Sequence, residues 1–114
     1  MSDKAGAVVV VGLGRFGSAV ARSLAAIGHE VLGIDSDMEL VQKFSEELTH
    51  VVQADSTDVQ TLKRLGVGDM QHAVVGIGSD VEASILTVVA LADAGCTDIW
   101  AKAVSPSHGR ILEK

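Results

Sequence analysis

Three glycines in six residues, Gly12-Leu13-Gly14-Arg15-Phe16-Gly17, follow directly on an apolar run and open a stretch with helical spacing. A GxGxxG in that context can hold a pyrophosphate. The first glycine permits the chain reversal, the second lets backbone N–H groups approach the phosphates, and the third lets the helix pack close on its strand. A helix starting there adds unpaired N–H donors and a partial positive charge. Asp35 lies 18 residues beyond Gly17, at the end of a second apolar run, where a carboxylate can accept hydrogen bonds from both ribose hydroxyls of an adenosine. That spacing favours a free 2′-hydroxyl over a 2′-phosphate. The competing use of the same turn is tight packing alone.

Other residues fall around this grip. Asp55, after the third apolar run, stands where an adenine ring would lie if Asp35 held its ribose; with Ser56 it could equally cap the next helix. Gly76 and Gly78, flanking Ile77 at the end of a fourth run, would give phosphates room or serve as ordinary turn residues. Arg15 can reach a terminal phosphate of its own ligand or of one held by a neighbouring subunit, or remain in solvent. Ser36, beside Asp35, completes the set. Lys102 lies in an apolar stretch and either faces the nucleotide or snorkels at an edge.

Catalytic groupings are missing from the pattern. His29, His50, His72 and His108 sit in separate connections, with no HxxxH, CxxC or His/Asp/Ser arrangement, and read as surface residues. Ser79, Asp80 and Glu82 could help with a cation or ribose, but acids and hydroxyls there are also expected of a helix start. The expectation is a binding domain, with no enzyme activity and no metal.

The elements that must position these residues alternate. Ala7 to Val11 is continuously apolar and β-branched, as in a strand covered on both faces. Val20, Leu24 and Ile27 then follow helical spacing to Gly28. A second strand spans Val31 to Ile34, and a helix from Asp37 to Leu48 buries Leu40, Val41, Phe44 and Leu48. A third strand at Val51 to Ala54 precedes a helix through Val59, Leu62 and Leu65 to Gly66. A fourth strand, Ala73 to Ile77, leads to a helix from Val81 to Ala94 with Ile85, Val88, Val89 and Ala92 inward, stopped by Gly95. A fifth strand runs from about Ile99 to Val104, and Pro106 opens a last helix. Such alternation calls for right-handed crossovers and a Rossmann-like, doubly wound, mainly parallel sheet in a three-layer αβα domain. The domain is expected over 7–114, after a tail at 1–6, with the chain ending in mid-element as the N-terminal piece of something longer.

The 114 residues suffice for one core, and with only three aromatics that core must be aliphatic. A formal charge of -6, with nine scattered Lys and Arg, argues against nucleic-acid binding. Cys96 is alone, so no internal disulfide can form, and a cytoplasmic setting fits. No stretch reads as a membrane span, so a link to a membrane would pass through a partner.

The strings VVGLGRFGSAVARSLAAIGHEVLGID, VVQADSTD, VVGIGSDVEASILTVVALADAG and IWAKAVSPSHGRILEK together resemble the N-terminal nucleotide-binding domain of bacterial Trk/Ktr-type potassium-transport regulators, the RCK or TrkA-N domains. The resemblance implies a cytoplasmic subunit, peripheral to the inner face of the cell membrane, that forms homodimers and higher rings beneath a membrane-embedded potassium channel or transporter. It would gate potassium flux in response to ATP, ADP or NAD(H). It also implies that the glycine turn and Arg15 hold phosphates, Asp35 the ribose, and Ala54 and Asp55 the adenine. Many Ktr-type members carry Asn where this chain has Asp55, and the family's final strand and C-terminal ligand-binding domain are not in this sequence. Ile85 to Leu91 and Ile111-Leu112 would serve family dimers or the core. The alternatives are the NAD-binding domain of a truncated oxidoreductase and an assembly scaffold indifferent to nucleotide.

Overall fold

Val8, Val10, Val31 and Val51 point to one side of a sheet while Val9, Val11, Leu32 and Ile34 point to the other, and both sides are dry. Continuous β-branched runs of this kind favour parallel strands buried on two faces. A computed structural model describes residues 7–70, 72–78 and 80–102. It shows β1 (Ala7–Val11), β2 (Glu30–Asp35), β3 (His50–Gln53), β4 (His72–Val75) and β5 (Asp98–Ala101) in one sheet of order β3-β2-β1-β4-β5. Every pairing is parallel. The chain winds outward from β1 to β3, then returns to the other side of β1, so the winding reverses between β1 and β4.

Helices α1 (Arg15–Ala26) and α2 (Met38–Phe44) cover the first half on one face. The other face carries α3 (Val59–Leu65), the short α4 (Val67–Met70) and α5 (Val81–Asp93). The result is the expected Rossmann-like αβα arrangement. Caps explain the boundaries: Asp37, Asp58 and Asp80 each accept a backbone N–H at the starts of α2, α3 and α5, and Gly66 ends α3 in the left-handed region.

Several expectations change. Ile27 is 74% exposed, because α1 seats itself through Gly17, Ser18 and Ala21, and Ile27 has already left the helix. The second helix stops at Phe44, four residues short of Leu48, which is still buried. The cap of α3 is Asp58, while Asp55 accepts from the Thr57 N–H and hydroxyl in its own turn. The inward face of α5 is Ser84, Thr87, Ala90 and Leu91; Val89 is 51% exposed and Ala92 is exposed as well. A helix apolar on all sides gives periodicity nothing to select, and the small hydroxyl residues fit the close approach to the sheet. Helix α4, which buries Val67 and Met70, is not expected from the sequence. The fifth strand ends at Ala101; Val104, Pro106, His108 and Ile111-Leu112 lie outside the described residues.

The first-half helices do not extend over β4 and β5. There Val74 is half-buried, and Trp100, its register partner, is 68% exposed. His72 and Asp98, also register partners, meet at 3.0 Å on this face.

Candidate functional site

In open parallel sheets, the crevice at the carboxyl ends of the strands, where the winding reverses, is where loops diverge and leave room for a ligand. Here the loops after β1 and β4 flank that point. Backbone bonds carry the sheet one residue past the strands: Gly12 N–H to Ile34 O at 2.8 Å, Gly76 N–H to Val11 O at 2.7 Å, and Ala54 N–H to Asp35 O at 3.1 Å. Beyond them opens a cleft of about 380 Å³, lined by Gly12, Gly14, Asp35, Ser36, Ala54, Asp55, Ser56, Gly76, Ile77 and Gly78 among the sequence candidates. That volume lies at the lower end of the range for small-molecule sites.

The three glycines of the turn do different work. Gly12 has φ +91°, and a Cβ there would come within 3.0 Å of the Gly76 carbonyl carbon. A Cβ on Gly17 would sit 1.6 Å from the Gly12 carbonyl oxygen, and one on Gly76 would sit 3.1 Å from the Gly17 Cα. Gly12, Gly17 and Gly76 thus form a backbone-to-backbone contact that locks α1 against β1 and β4. Gly14 is unlike them. Its φ of -72° is open to any residue, and a Cβ there would meet nothing within 4 Å. Neither conformation nor internal packing requires glycine at this position.

Gly14 is also the N-cap of α1, where no side chain bonds the first-turn N–H groups and no acid stands in the first turn. The first helical bond, Ser18 N–H to Gly14 O at 2.9 Å, leaves the preceding N–H groups outside the ladder. An anion would complete this helix end, and the bare Gly14 leaves it space to approach. The residues present therefore fit a phosphate group.

Asp35 accepts the Leu13 N–H on Oδ2 at 2.8 Å and the Asp37 N–H on Oδ1 at 2.9 Å. It ties the glycine turn to the end of β2 and, with about four lone-pair sites on a carboxylate, keeps acceptor capacity for hydroxyls. Across the cleft, the Asp55 carboxylate lies below its ordinary pKa, first because the Thr57 hydroxyl donates to it, then because the Thr57 N–H does. The distances are 2.6 and 2.9 Å. Ser56 is different in kind: its hydroxyl is turned to Thr87 in the interior.

The remaining candidates lie elsewhere. The Leu13 side chain is buried at 1% exposure, and its contribution is its N–H. Phe16 is partly exposed and lies beside the Lys102 amine, 5.6 Å from the ring centroid, and neither lines the cleft. Arg15 lines a neighbouring concavity between α1 and α2, with Leu13, Gly14, Ser18, Arg22, Lys43 and Phe44. The two hollows share Gly14 and Leu40. Val11, Ile34, Leu40, Thr57, Asp80 and Ala83 also line the cleft. Leu40 is expected from sequence only as a core residue of the second helix. Asp80 bonds the Ala83 N–H as a helix cap.

Cys96 is buried, and burial pushes its thiol pKa up. Among the described residues, no group of three His, Cys, Asp or Glu is placed to share a metal ion, and no helix is long and apolar enough to cross a membrane.

Strand order, a glycine turn at the reversal and an acid at the end of β2 define a Rossmann-like domain of the nucleotide-binding type. Residues 8–114 match the TrkA-N domain model, and the chain belongs to the TrkA-N family. It is similar to Ktr system potassium uptake protein A of Bacillus subtilis, at 38% identity over 105 residues, covering 92% of this chain and 47% of that protein. Ktr system potassium uptake protein C of the same organism is 39% identical, with 92% and 48% covered. The chain thus spans about half the length of the curated relatives it matches. Among solved structures, it is similar to the NAD(P)-binding domain of an exopolyphosphatase-related protein from Archaeoglobus fulgidus. That match has 29% identity and a TM-score of 0.72, over 93% of this chain and 79% of that one. The Kef CTD of Shewanella denitrificans, in its AMP-bound form, is 25% identical with a TM-score of 0.70, over 90% and 61%.

Proposed function

We propose that this chain is the nucleotide-sensing domain of a cytoplasmic regulatory subunit serving a membrane-embedded potassium channel or transporter. It binds an adenine nucleotide, ATP/ADP or alternatively NAD(H), in the cleft between the β1 and β4 loops. Homodimers and higher rings of the subunit gate potassium flux as the ligand shifts their conformational equilibrium, and the energy available is the difference in ligand affinity between the states. The observation that carries the reading is the bare, uncapped Gly14 end of α1 facing an acid-edged cleft at the winding reversal. The potassium-uptake relatives support the physiological role, and the AMP-bound Kef CTD supports the adenine nucleotide.

The NAD(P)-binding domain of the Archaeoglobus fulgidus exopolyphosphatase-related protein supports NAD(H) as the alternative ligand, and the second reading is the NAD-binding domain of a truncated oxidoreductase. The cleft favours a sensor: among the described residues its lining offers three carboxylates, Asp35, Asp55 and Asp80, and no histidine, cysteine or lysine to act as proton donor to a substrate. Calorimetry with AMP, ADP, ATP and NADH tests the proposal. Binding at millimolar concentration or better to at least one is expected, and no binding to any of them would overturn it.

A further inference from the structure

Helix α5 presents two hydroxyls to the interior one turn apart. Thr87 is 0% exposed and its Oγ1 lies 2.8 Å from Ser56 Oγ, itself 9% exposed. Ser84 is 1% exposed and its hydroxyl donates to the Ile77 carbonyl oxygen at 2.7 Å. Ser56 stands between Asp55 and Thr57 on the turn after β3, and Ile77 stands between Gly76 and Gly78 on the turn after β4. All six of those turn residues line the cleft. Two walls of the site, contributed by different strands, are therefore hung on one face of a single helix.

Packing alone does not call for this. The rest of the inward face is Ala90 and Leu91, and a buried hydroxyl is tolerated only when bonded. An apolar pair of similar shape in place of Ser56 and Thr87 would be close to neutral for stability. Apolar contact is non-directional and lets a turn slide over a helix. A hydrogen bond fixes distance and direction. What the hydroxyls add is the placement of the two turns, and the residues so placed are those that face the ligand.

We infer that Thr87 and Ser84 are positioning residues for the nucleotide: they touch no ligand themselves but set the spacing between the Ala54–Thr57 wall and the Gly76–Gly78 wall. The assignment rests on the nucleotide-binding reading above. Thr87→Val keeps the shape and removes the bond, leaving the Ser56 hydroxyl without its partner. Thr87→Ser restores the hydroxyl.

The test combines calorimetric titration with AMP and amide exchange of the ligand-free protein. Thr87→Val is expected to bind AMP about tenfold more weakly, on the scale of one lost hydrogen bond. Thr87→Ser is expected within about twofold of the original, and Ser56→Ala with Thr87→Val no weaker than Thr87→Val alone, because one bond is lost in both cases. Exchange should quicken in the Ala54–Thr57 turn of Thr87→Val and not across the sheet. Unchanged AMP affinity and exchange in Thr87→Val would overturn the inference. So would faster exchange throughout the sheet, which would make Thr87 a determinant of overall stability only. If the unsubstituted protein bound no AMP, ADP, ATP or NADH, the nucleotide reading would fall. The exchange measurement, which needs no ligand, would then still decide whether Thr87 fixes the turn.

Discussion

The Leu13 N–H donates to Asp35 Oδ2 at 2.8 Å across 22 residues of sequence, so the acid at the end of β2 anchors the glycine turn as well as facing the cleft. A carboxylate accepting two backbone N–H groups serves the fold without any ligand. Asp35→Ala is therefore expected to lower the stability of the ligand-free protein by about 1–3 kcal/mol, the cost of orphaned donors to a charged acceptor. Urea unfolding measures it. If Asp35 served the ligand alone, the unfolding midpoint would not move.

The glycines separate packing from ligand approach. Gly17→Ala puts a Cβ where the Gly12 carbonyl oxygen already sits, at 1.6 Å, and should cost about 3 kcal/mol or more through forced backbone movement. Gly14→Ala meets nothing within 4 Å. Its expected cost is about 1 kcal/mol, the difference between a favourable glycine N-cap and a poor alanine one, together with a large loss of nucleotide affinity. Thermal unfolding and calorimetry on the pair give opposite orders of damage. Gly14→Ala with unchanged nucleotide affinity would remove the reason offered for the glycine.

Legibility in the sequence followed where each property resides. The turn at 12–17 was readable because its work is done by the main chain, and glycine is the only residue type that permits the Gly12–Gly17–Gly76 contact. Asp35 was readable because it follows a strand whose apolar run marks its end. The parallel, doubly wound character of the sheet followed from alternation and crossover handedness, whereas its strand order came from the structure. The inward face of α5 was only partly readable: of Ile85, Val88, Val89 and Ala92, which the spacing suggested, Val88 packs against the core, while the small Ser84 and Thr87 took the place nearest the sheet. The cap of α3 was misplaced because Asp55 and Asp58 are both good cap residues, and only the turn geometry assigns Asp55 to Thr57. Arg15 followed the turn in sequence but points its surroundings toward α2, a direction that no local pattern encodes.

Asp55 supplies a pH prediction. Its pKa is depressed in the folded state, chiefly by the Thr57 hydroxyl. A depressed folded pKa contributes stability that is fully present above the unfolded pKa and is lost as pH falls through the folded value, so the change with pH is confined below about pH 4. Thr57→Val removes the hydroxyl donor and should move the Asp55 titration up toward the ordinary aspartate value, with the associated loss of stability seen at neutral pH and vanishing as Asp55 is protonated in acid. Carboxyl-carbon NMR titration follows it directly. An unmoved Asp55 curve would contradict the assigned cause.

Trp100 is the single tryptophan of the chain and is 68% exposed on the part of the sheet that α1 and α2 leave bare. Its fluorescence in isolated subunits should be red-shifted and readily quenched by acrylamide, with little further shift on unfolding in urea. A blue-shifted, protected emission that reddens on dilution would show that another surface covers this face.

Arg15 is the residue we propose to set how the site distinguishes nucleotides. Among the described residues the cleft lining has three carboxylates and no Lys or Arg, so each phosphate beyond the first adds charge that the helix end must offset there. Arg15 is the nearest cation by sequence, yet it borders the adjoining hollow, joined to the cleft at Gly14 and Leu40. A terminal phosphate extending past Gly14 would come toward it, whereas a monophosphate held at the turn would not. Arg15→Ala should therefore weaken ATP by about tenfold or more, the worth of one charge-assisted hydrogen bond, and leave AMP within about twofold. Salt should narrow the difference, because an exposed guanidinium is screened. Titrating both nucleotides at two ionic strengths checks the prediction. Equal losses for ATP and AMP would place Arg15 in the support of the turn and remove it from phosphate recognition.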